Sequence, residues 1–404
     1  MTFDKLKSRE GVMNKAAGKE SRTWEIKKLE EVTEILNGGT PKTNIAEYWD
    51  GDIHWITPAD LGKLKMPTVN DTPRKITRLG LEKSSAKILP EKSIILSTRA
   101  PIGHLAINET PMSTNQGCRG IVPSKKLDTW YLYYFLKKNV KLLDSLGTGA
   151  TFKELSTKAL AGIKIPLPPL PEQQRIVSIL DEAFAAIAKA KANAERCLSL
   201  SKALFESYLQ RMFENGDWET KTINQISKNL NSKRVPITKN KRKCGNIPYY
   251  GASGIVDYVA NYLFDEDLLC VSEDGANLLA RTYPIAFSIS GKSWVNNHAH
   301  VLKFSNIDTQ KFVEVYINSI RIDDYVSGMA QPKLNQAMLN KIPIPLPSLK
   351  NQQNIVRQLD ALRAETQKLE VVYQKKIADL EELKKSILHK AFAGELETKT
   401  LEIT

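Results

Sequence analysis

The chain says nearly the same thing twice. Residues 165–181 read IPLPPLPEQQRIVSILD and residues 344–360 read IPLPSLKNQQNIVRQLD, identical at 11 of 17 ungapped positions from Ile165/Ile344 through Asp181/Asp360. A shorter echo precedes each copy, Trp24-Glu25-x-Lys27 returning as Trp218-Glu219-x-Lys221. The order is therefore lobe, helix, lobe, helix. Two similar halves present two similar binding faces, so a partner that also comes in two parts is the expectation.

After the first Pro-rich motif, Glu172 to Glu214 run without Gly or Pro. Apolar or small residues recur at Ile176, Leu180, Ala183, Ile187, Ala190, Ala194, Cys197, Ser201, Leu204 and Tyr208. The steps alternate four and three, the seam of a coiled coil. Adding the repeat offset of 179 gives Ile355, Leu359, Leu362, Thr366, Leu369, Tyr373, Lys376, Leu380, Leu383 and Ile387, with Ile377 able to turn inward in place of Lys376. The first seam is small in its middle (Ala190, Ala194) where the second is large (Leu369, Tyr373). That asymmetry predicts pairing within one chain rather than a homodimer of like seams; two separate surface helices are the alternative.

A lobe of about 127 residues joins the helices, and a compact lobe brings its ends together. The helices should run antiparallel, each roughly 64 Å long at ~1.5 Å per residue, with a lobe at each end and the C-terminus beside lobe one. Pro166, Pro168, Pro169 and Pro171, and Pro343, Pro345 and Pro347, read as stiff elbows between lobe and helix, because proline locks φ and removes a donor.

A length of 404 residues suits two to four units, and 42% hydrophobic with 25% charged residues is the composition of a folded chain. No apolar run reaches membrane-spanning length, and the N-terminus lacks a signal peptide's apolar core, so a cytoplasmic location is expected. Cys118, Cys197, Cys244 and Cys270 have neither zinc nor disulfide spacing and read as incidental thiols. Of the net charge of +13, residues 24–165 carry +6, 218–345 carry +4 and the leader 1–23 carries +3, against −1 and +1 for 166–217 and 346–404. Basic lobes imply a polyanionic partner, most commonly nucleic acid.

The fold class is α/β in the α+β sense: two mixed, strand-rich lobes separated by a long antiparallel two-helix coiled coil, with an internal pseudo-two-fold repeat. The divisions are a basic leader (1–23), lobe one (24–165), elbow and first helix (166–217), lobe two (218–345), elbow and second helix (346–396) and a tail (397–404). Segments such as IHWITPADL and SIILSTRAPIGHLAI read as strands punctuated by turns. Helices are expected at Thr129–Asn139 and Gln310–Ser319, and Trp49 and Trp55 as core. Near the lobe ends, Gly149/Gly328, Leu155/Leu334, Leu160/Leu339 and Ile163/Ile342 align at the same offset of 179, whereas the lobe starts align at 194. The lobes share a frame and differ in surface.

This order, with PLPPLPEQQRIV and PLPSLKNQQNIV opening the helices and GTGAT closing lobe one, resembles the DNA-specificity (S) subunit of type I restriction–modification enzymes. The resemblance runs from Trp24 to about Leu396. Lobe one is similar to the family's target-recognition domains through GGTPKTN (38–44), YWDGDIHWITPADL (48–61), STRAPIG (97–103) and STNQG (113–117). Lobe two is similar through YYGASG (249–254), VSEDGAN (271–277) and WVNNHAHVL (294–302); Lys350-Asn351 departs from Pro171-Glu172. The resemblance implies that each lobe reads one half of an asymmetric, bipartite site in double-stranded DNA while the coiled coil sets the gap. Two methyltransferase (M) subunits, using S-adenosylmethionine, would dock beside the helices, and two restriction (R) subunits would bring ATP- and Mg-dependent translocation and cleavage. No membrane partner is implied. The chain itself would hold no cofactor or metal and have no catalytic residues. In keeping with that, the sequence lacks a Walker A loop, an Asn/Asp-Pro-Pro-aromatic motif and a Gly-rich cofactor loop.

DNA affinity comes from Lys and Arg near phosphates, and sequence preference from polar groups that reach base edges. In lobe one the candidates are Lys42, Thr57, Arg99, Asn115, Gln116 and Arg119. Arg99 leads, since an Arg on a turn can hold guanine bidentately; a salt bridge with a lobe carboxylate is its structural alternative. Lobe two offers the basic run Lys233, Arg234, Lys239, Lys241, Arg242 and Lys243, or a merely solvated charge cluster. It also offers Tyr250, Ser253, Asn296, Asn297 and His298, with Glu273 and Asp274 as cytosine acceptors or turn caps. His298 and His300 as a metal pair lack nearby acid or Cys ligands. Two other readings stay open: a two-lobed protein scaffold that does not bind DNA, and an enzyme with a diverged nuclease or methyltransferase site.

Overall fold

A computed structural model describes residues 24–149, 153–214, 218–328 and 330–396. The leader, the tail, and Ala150 and Thr151 of the GTGAT motif lie outside the described residues. The chain divides into two compact units. One takes residues up to Ala192 together with those from Ile377 onward, and the other is Asn193–Lys376.

Each lobe is built on a central sheet and a second sheet, three-stranded in lobe one and four-stranded, like the central one, in lobe two. In lobe one the central order is Thr33–Asn37, Cys118–Pro123, Ile94–Ser97, Leu105–Asn108, Thr68–Val69. In lobe two it is Ser227–Asn229, Ala299–Phe304, Leu268–Ser272, Ala286–Ile289. The first four positions correspond, and their pairings are antiparallel in both lobes. The second sheets agree in one unusual respect. Trp49–Ile56 runs parallel to Met112–Thr114, as Cys244–Gly251 does to Lys292–Val295. One helix packs on each central sheet, Thr129–Lys138 and Ile307–Ser319, close to the expected positions.

The two echoes in the sequence are the two strands of one ladder. Glu25–Lys28 pairs antiparallel with Lys164–Leu167, Lys27 opposite Ile165. Thr220–Thr222 pairs with Pro343–Pro345 in the same register, Lys221 opposite Ile344. The Pro-rich elbows thus begin as edge strands, where proline is tolerated, and each ties the start of its lobe to its end.

Both long helices contain 45 residues, Leu170–Glu214 and Leu349–Ala393. Each starts with a buried glutamine. Gln173 donates through Nε2 to the carbonyls of Pro168 (2.8 Å) and Lys126 (2.9 Å) and accepts from the Asp128 amide (2.8 Å). Gln352 donates to the Pro347 carbonyl (2.7 Å) and accepts from Thr309 Oγ1 (2.8 Å).

Within each unit the helices pair antiparallel. In the first unit Lys191 bonds Glu381 at 2.6 Å and Lys384 lies over the Phe184 ring, while Leu388, Ala391 and Phe392 enter the lobe-one core against Tyr131 and Phe135. In the second, Tyr208 donates to Gln358 and Arg363 lies over Phe205, with Leu209, Ile355 and Leu359 in the lobe-two core. Of the expected seam, Ile176, Leu180, Ala183, Ile187, Ala194, Ser201, Ile355, Leu359 and Thr366 are buried. Ala190, Cys197, Tyr208, Leu362, Tyr373, Leu380 and Ile387 are half-buried, and Ile377 turns in where Lys376 stays exposed. Three positions depart from expectation: Leu204, Leu369 and Leu383 are 52%, 41% and 40% exposed. A straight helix drifts ~20° per heptad against a strict 3.5 repeat. Four heptads after Ile176, the inward position has passed from Leu204 to Phe205 and Leu209.

Candidate nucleic-acid interface

Where the central strands end, both lobes build the same loop cluster. In lobe one Ser97 pairs with Cys118. Beyond it the Thr98 amide donates to the Gly117 carbonyl, the Leu155 amide to the Thr98 carbonyl, and Thr148 and Glu154 exchange backbone bonds. In lobe two Ser272 pairs with Ala299. The Glu273 amide then donates to His298, Leu334 to Glu273, and Ser327 and Lys333 exchange bonds. Gly149 and Gly328 sit in these returns at φ of 115° and 81°, the left-handed region that favours glycine.

The turn before each returning strand is also shared. Asn115 Oδ1 accepts from the Gly117 amide (2.9 Å) and Asn296 Oδ1 from the His298 amide (2.8 Å). STNQG and WVNNHAH are therefore one turn used twice, with Gln116 and Asn297 at its exposed tip. Gly38 of GGTPKTN runs so close beneath it that a Cβ there would lie 1.9 Å from the Asn115 carbonyl oxygen.

In lobe one, Arg99 Nε lies 3.1 Å from Glu154 Oε2 and its side chain is 47% exposed. The structural alternative is thus realised, on a residue that still faces solvent. Arg119 is only 11% exposed and is held by Glu154, the Thr157 hydroxyl and the carbonyls of Gln116 and Cys118. Gln116 accepts from the Thr40 hydroxyl at the surface, and Lys42 is exposed. Thr57 is not an open reader. It is buried as the N-cap of Pro58–Leu61, its hydroxyl donating to Asp60 Oδ2 at 2.6 Å. Trp55 is buried in the core and Trp49 packs edge-on against it.

In lobe two the basic run splits by residue type. Lys233, Lys239, Lys241 and Lys243 are exposed. Both arginines are bound by groups distant in sequence. Arg234 meets Glu273 (2.7 Å) and the Ala299 carbonyl (2.7 Å). Arg242 meets Asp257 (2.9 Å) and lies 4.3 Å over the Tyr249 ring. Asn296 is buried by its turn, so only Asn297 of that pair is exposed. Tyr250 is half-buried beside Phe287, and Ser253 is exposed between Gly251 and Gly254.

Glu273 is not a free acceptor. Burial pushes its carboxyl up, but the Arg234 bond, His300 and Lys333 outweigh burial and hold it below the usual range. Asp274 accepts from His298 Nδ1 at 2.9 Å, and both are partly exposed. His300 does not pair with His298: its Nδ1 meets the Asn231 amide (2.8 Å) and its Nε2 the Leu334 carbonyl (2.7 Å). Among the described residues no group of three His, Cys, Asp or Glu side chains could hold a metal.

One residue that sequence reasoning passed over belongs here. Arg74 lies 4.6 Å over the Trp55 ring, is exposed and makes no ion pair among the described residues. It lines a concavity with Lys63, His104 and Asn115. Its signal was the Trp55–Arg74 strand register, which no local pattern displays.

Comparison with known proteins agrees with this architecture. Residues 21–195 and 215–379 each match the type I restriction modification DNA specificity domain, so the chain belongs to that family and carries the domain twice. It is 30% identical over 305 residues, 71% of either chain, to the type I restriction enzyme MjaIX specificity subunit of Methanocaldococcus jannaschii. Its fold is similar, at 16% identity, to a chain from a structural study of complex assembly and conformational transition in a type I R-M system (TM-score 0.71; 93% of this chain, 99% of that one). The HsdS subunit of Thermoanaerobacter tengcongensis is also similar in fold (TM-score 0.63, 16% identity; 93% and 98% covered). Among the described residues no helix is long and apolar enough to cross a membrane.

Proposed function

We propose that this specificity subunit gives its complex a bipartite, asymmetric DNA target, one half read by each lobe. The observation that carries this reading is the doubled loop cluster: one backbone frame with four corresponding backbone hydrogen bonds in each lobe, and different side chains exposed on it. A shared frame places each lobe on its duplex in the same way, and unlike side chains make the halves differ. The excess positive charge of both lobes supports a polyanionic partner. The paired helices would set the gap between halves, and the repeated elbows would dock two copies of a methyltransferase subunit. Adenine methylation with S-adenosylmethionine, and ATP- and Mg-dependent restriction, would belong to the M and R partners, leaving this chain without catalytic work.

The test is a genome-wide map of methylated adenines in cells carrying the modification subunit, with and without this chain. A two-part motif that disappears with the chain is expected. Methylation that does not depend on the chain, or an assembled complex without salt-sensitive DNA affinity, would favour the scaffold reading. Purified chain that modified DNA by itself would favour the enzyme reading.

A further inference from the structure

Arg99 and Asp274 stand at one backbone position. Each is two residues past the strand-end pairs Ser97–Cys118 and Ser272–Ala299, and each forms an isolated antiparallel bridge to the residue on the returning segment, Glu154 or Lys333. Those two partners correspond as well, each exchanging backbone bonds with the residue six before it. The charges at this doubled position are reversed. Lobe one has a cation on the strand-end loop and an anion on the return, whereas lobe two has an anion on the loop and a cation on the return.

Each loop residue is also oriented by a neighbour of opposite character and left partly open to solvent. Glu154 holds the Arg99 guanidinium at 3.1 Å with the side chain 47% exposed, and His298 holds the Asp274 carboxylate at 2.9 Å with the side chain 35% exposed. Backbone bonds already fasten the loop in both lobes, so neither side chain is needed for that.

We infer that residues 99 and 274 are a single base-reading position set to opposite polarity in the two lobes, an assignment that rests on the bipartite reading above. Arg99 donates to an acceptor edge, the O6 and N7 of guanine. Asp274 accepts from an exocyclic amino group in the major groove, that of cytosine or adenine.

The experiment is the methylation map of the complex carrying substituted chains. Asp274→Ala removes the acceptor and should relax recognition at one base pair in one half-site, by roughly 5- to 150-fold against the wrong base. Arg99→Gln should do the same at one base pair in the other half. The relaxed position in the Asp274→Ala map identifies the amino group as that of cytosine or adenine. The double change D274R/K333E copies the charge order of lobe one and should move the preference at that same base pair toward guanine. Should the double variant fail to assemble, the two single changes still decide.

The assignment is overturned if Asp274→Ala leaves both halves as sharp as before or weakens all sites uniformly, or if both single changes act in the same half. A wild-type map lacking a two-part motif would instead retire the bipartite reading itself.

Discussion

Gln173 donates its side-chain amide to the carbonyl of Pro168, five residues earlier, at a fully buried site. This bond gives the doubled Gln of the repeated motif a physical role: it locks the Pro-rich strand onto the first turn of the helix. Removing the amide by Gln173→Ala would strand the carbonyls of Pro168 and Lys126 and the amide of Asp128. A loss of about 1–3 kcal/mol is expected in urea denaturation of the purified chain. Gln352→Ala should cost less, because it leaves fewer groups unpaired.

Acid should unfold lobe two in two stages. Burial, the largest influence on His300, depresses its proton affinity in the folded state. The stability this gives is complete above the ordinary histidine value of 6.5 and is lost as pH falls below it. Glu273 is also depressed in the fold, so its contribution is complete above the ordinary glutamate value of 4.5 and is lost as pH falls through its lower folded value. Melting temperature against pH should show both declines. His300→Asn should flatten the first only. Glu273→Gln should flatten the second and lower stability at neutral pH by about 1.5–3 kcal/mol, because Arg234 loses its counter-charge while keeping the Ala299 carbonyl.

The drift of the helix seam is tested by neighbours. Leu204→Ala should change stability by less than about 0.5 kcal/mol, since Leu204 is 52% exposed. Phe205→Ala removes an inward ring with Arg363 over its face and should cost at least about 1.5 kcal/mol more. Equal losses would restore the strict heptad.

Neutralising Lys233, Lys239, Lys241 and Lys243 together should weaken DNA binding by the complex about equally for all sequences. Each lysine that meets a phosphate should reduce the slope of log affinity against log salt by about 0.9. A change in the methylated motif would mean that one of them reads a base.

Deleting one heptad from each long helix removes roughly 10 Å of helix, or about three base pairs of spacer. The methylation map should then show a shorter gap between unchanged halves. Altered halves would mean that the helices do more than set distance.

Two strand-rich lobes and two long helices were legible because a repeat and a seven-residue period are local patterns. Pairing between distant segments was not. Along the sequence the Trp-Glu-x-Lys echo and the Pro-rich motif are separate landmarks, although Lys27 and Ile165 face each other across one ladder. The same blindness affected the interface. Sequence shows that Thr57, Asn296 and Arg234 are polar, but their partners or burial arise only on folding. Arg74 was missed because what orients it, the Trp55 ring, lies on another strand.

Lobe one closes over Leu388, Ala391 and Phe392, which the ribosome makes more than two hundred residues after the lobe's own strands. Residues 193–376, by contrast, form an uninterrupted unit. During synthesis the second lobe can complete its core while the first still waits with an apolar cleft beside Tyr131 and Phe135. The half that emerges first matures last, and a chain cut short before Leu388 leaves that cleft open.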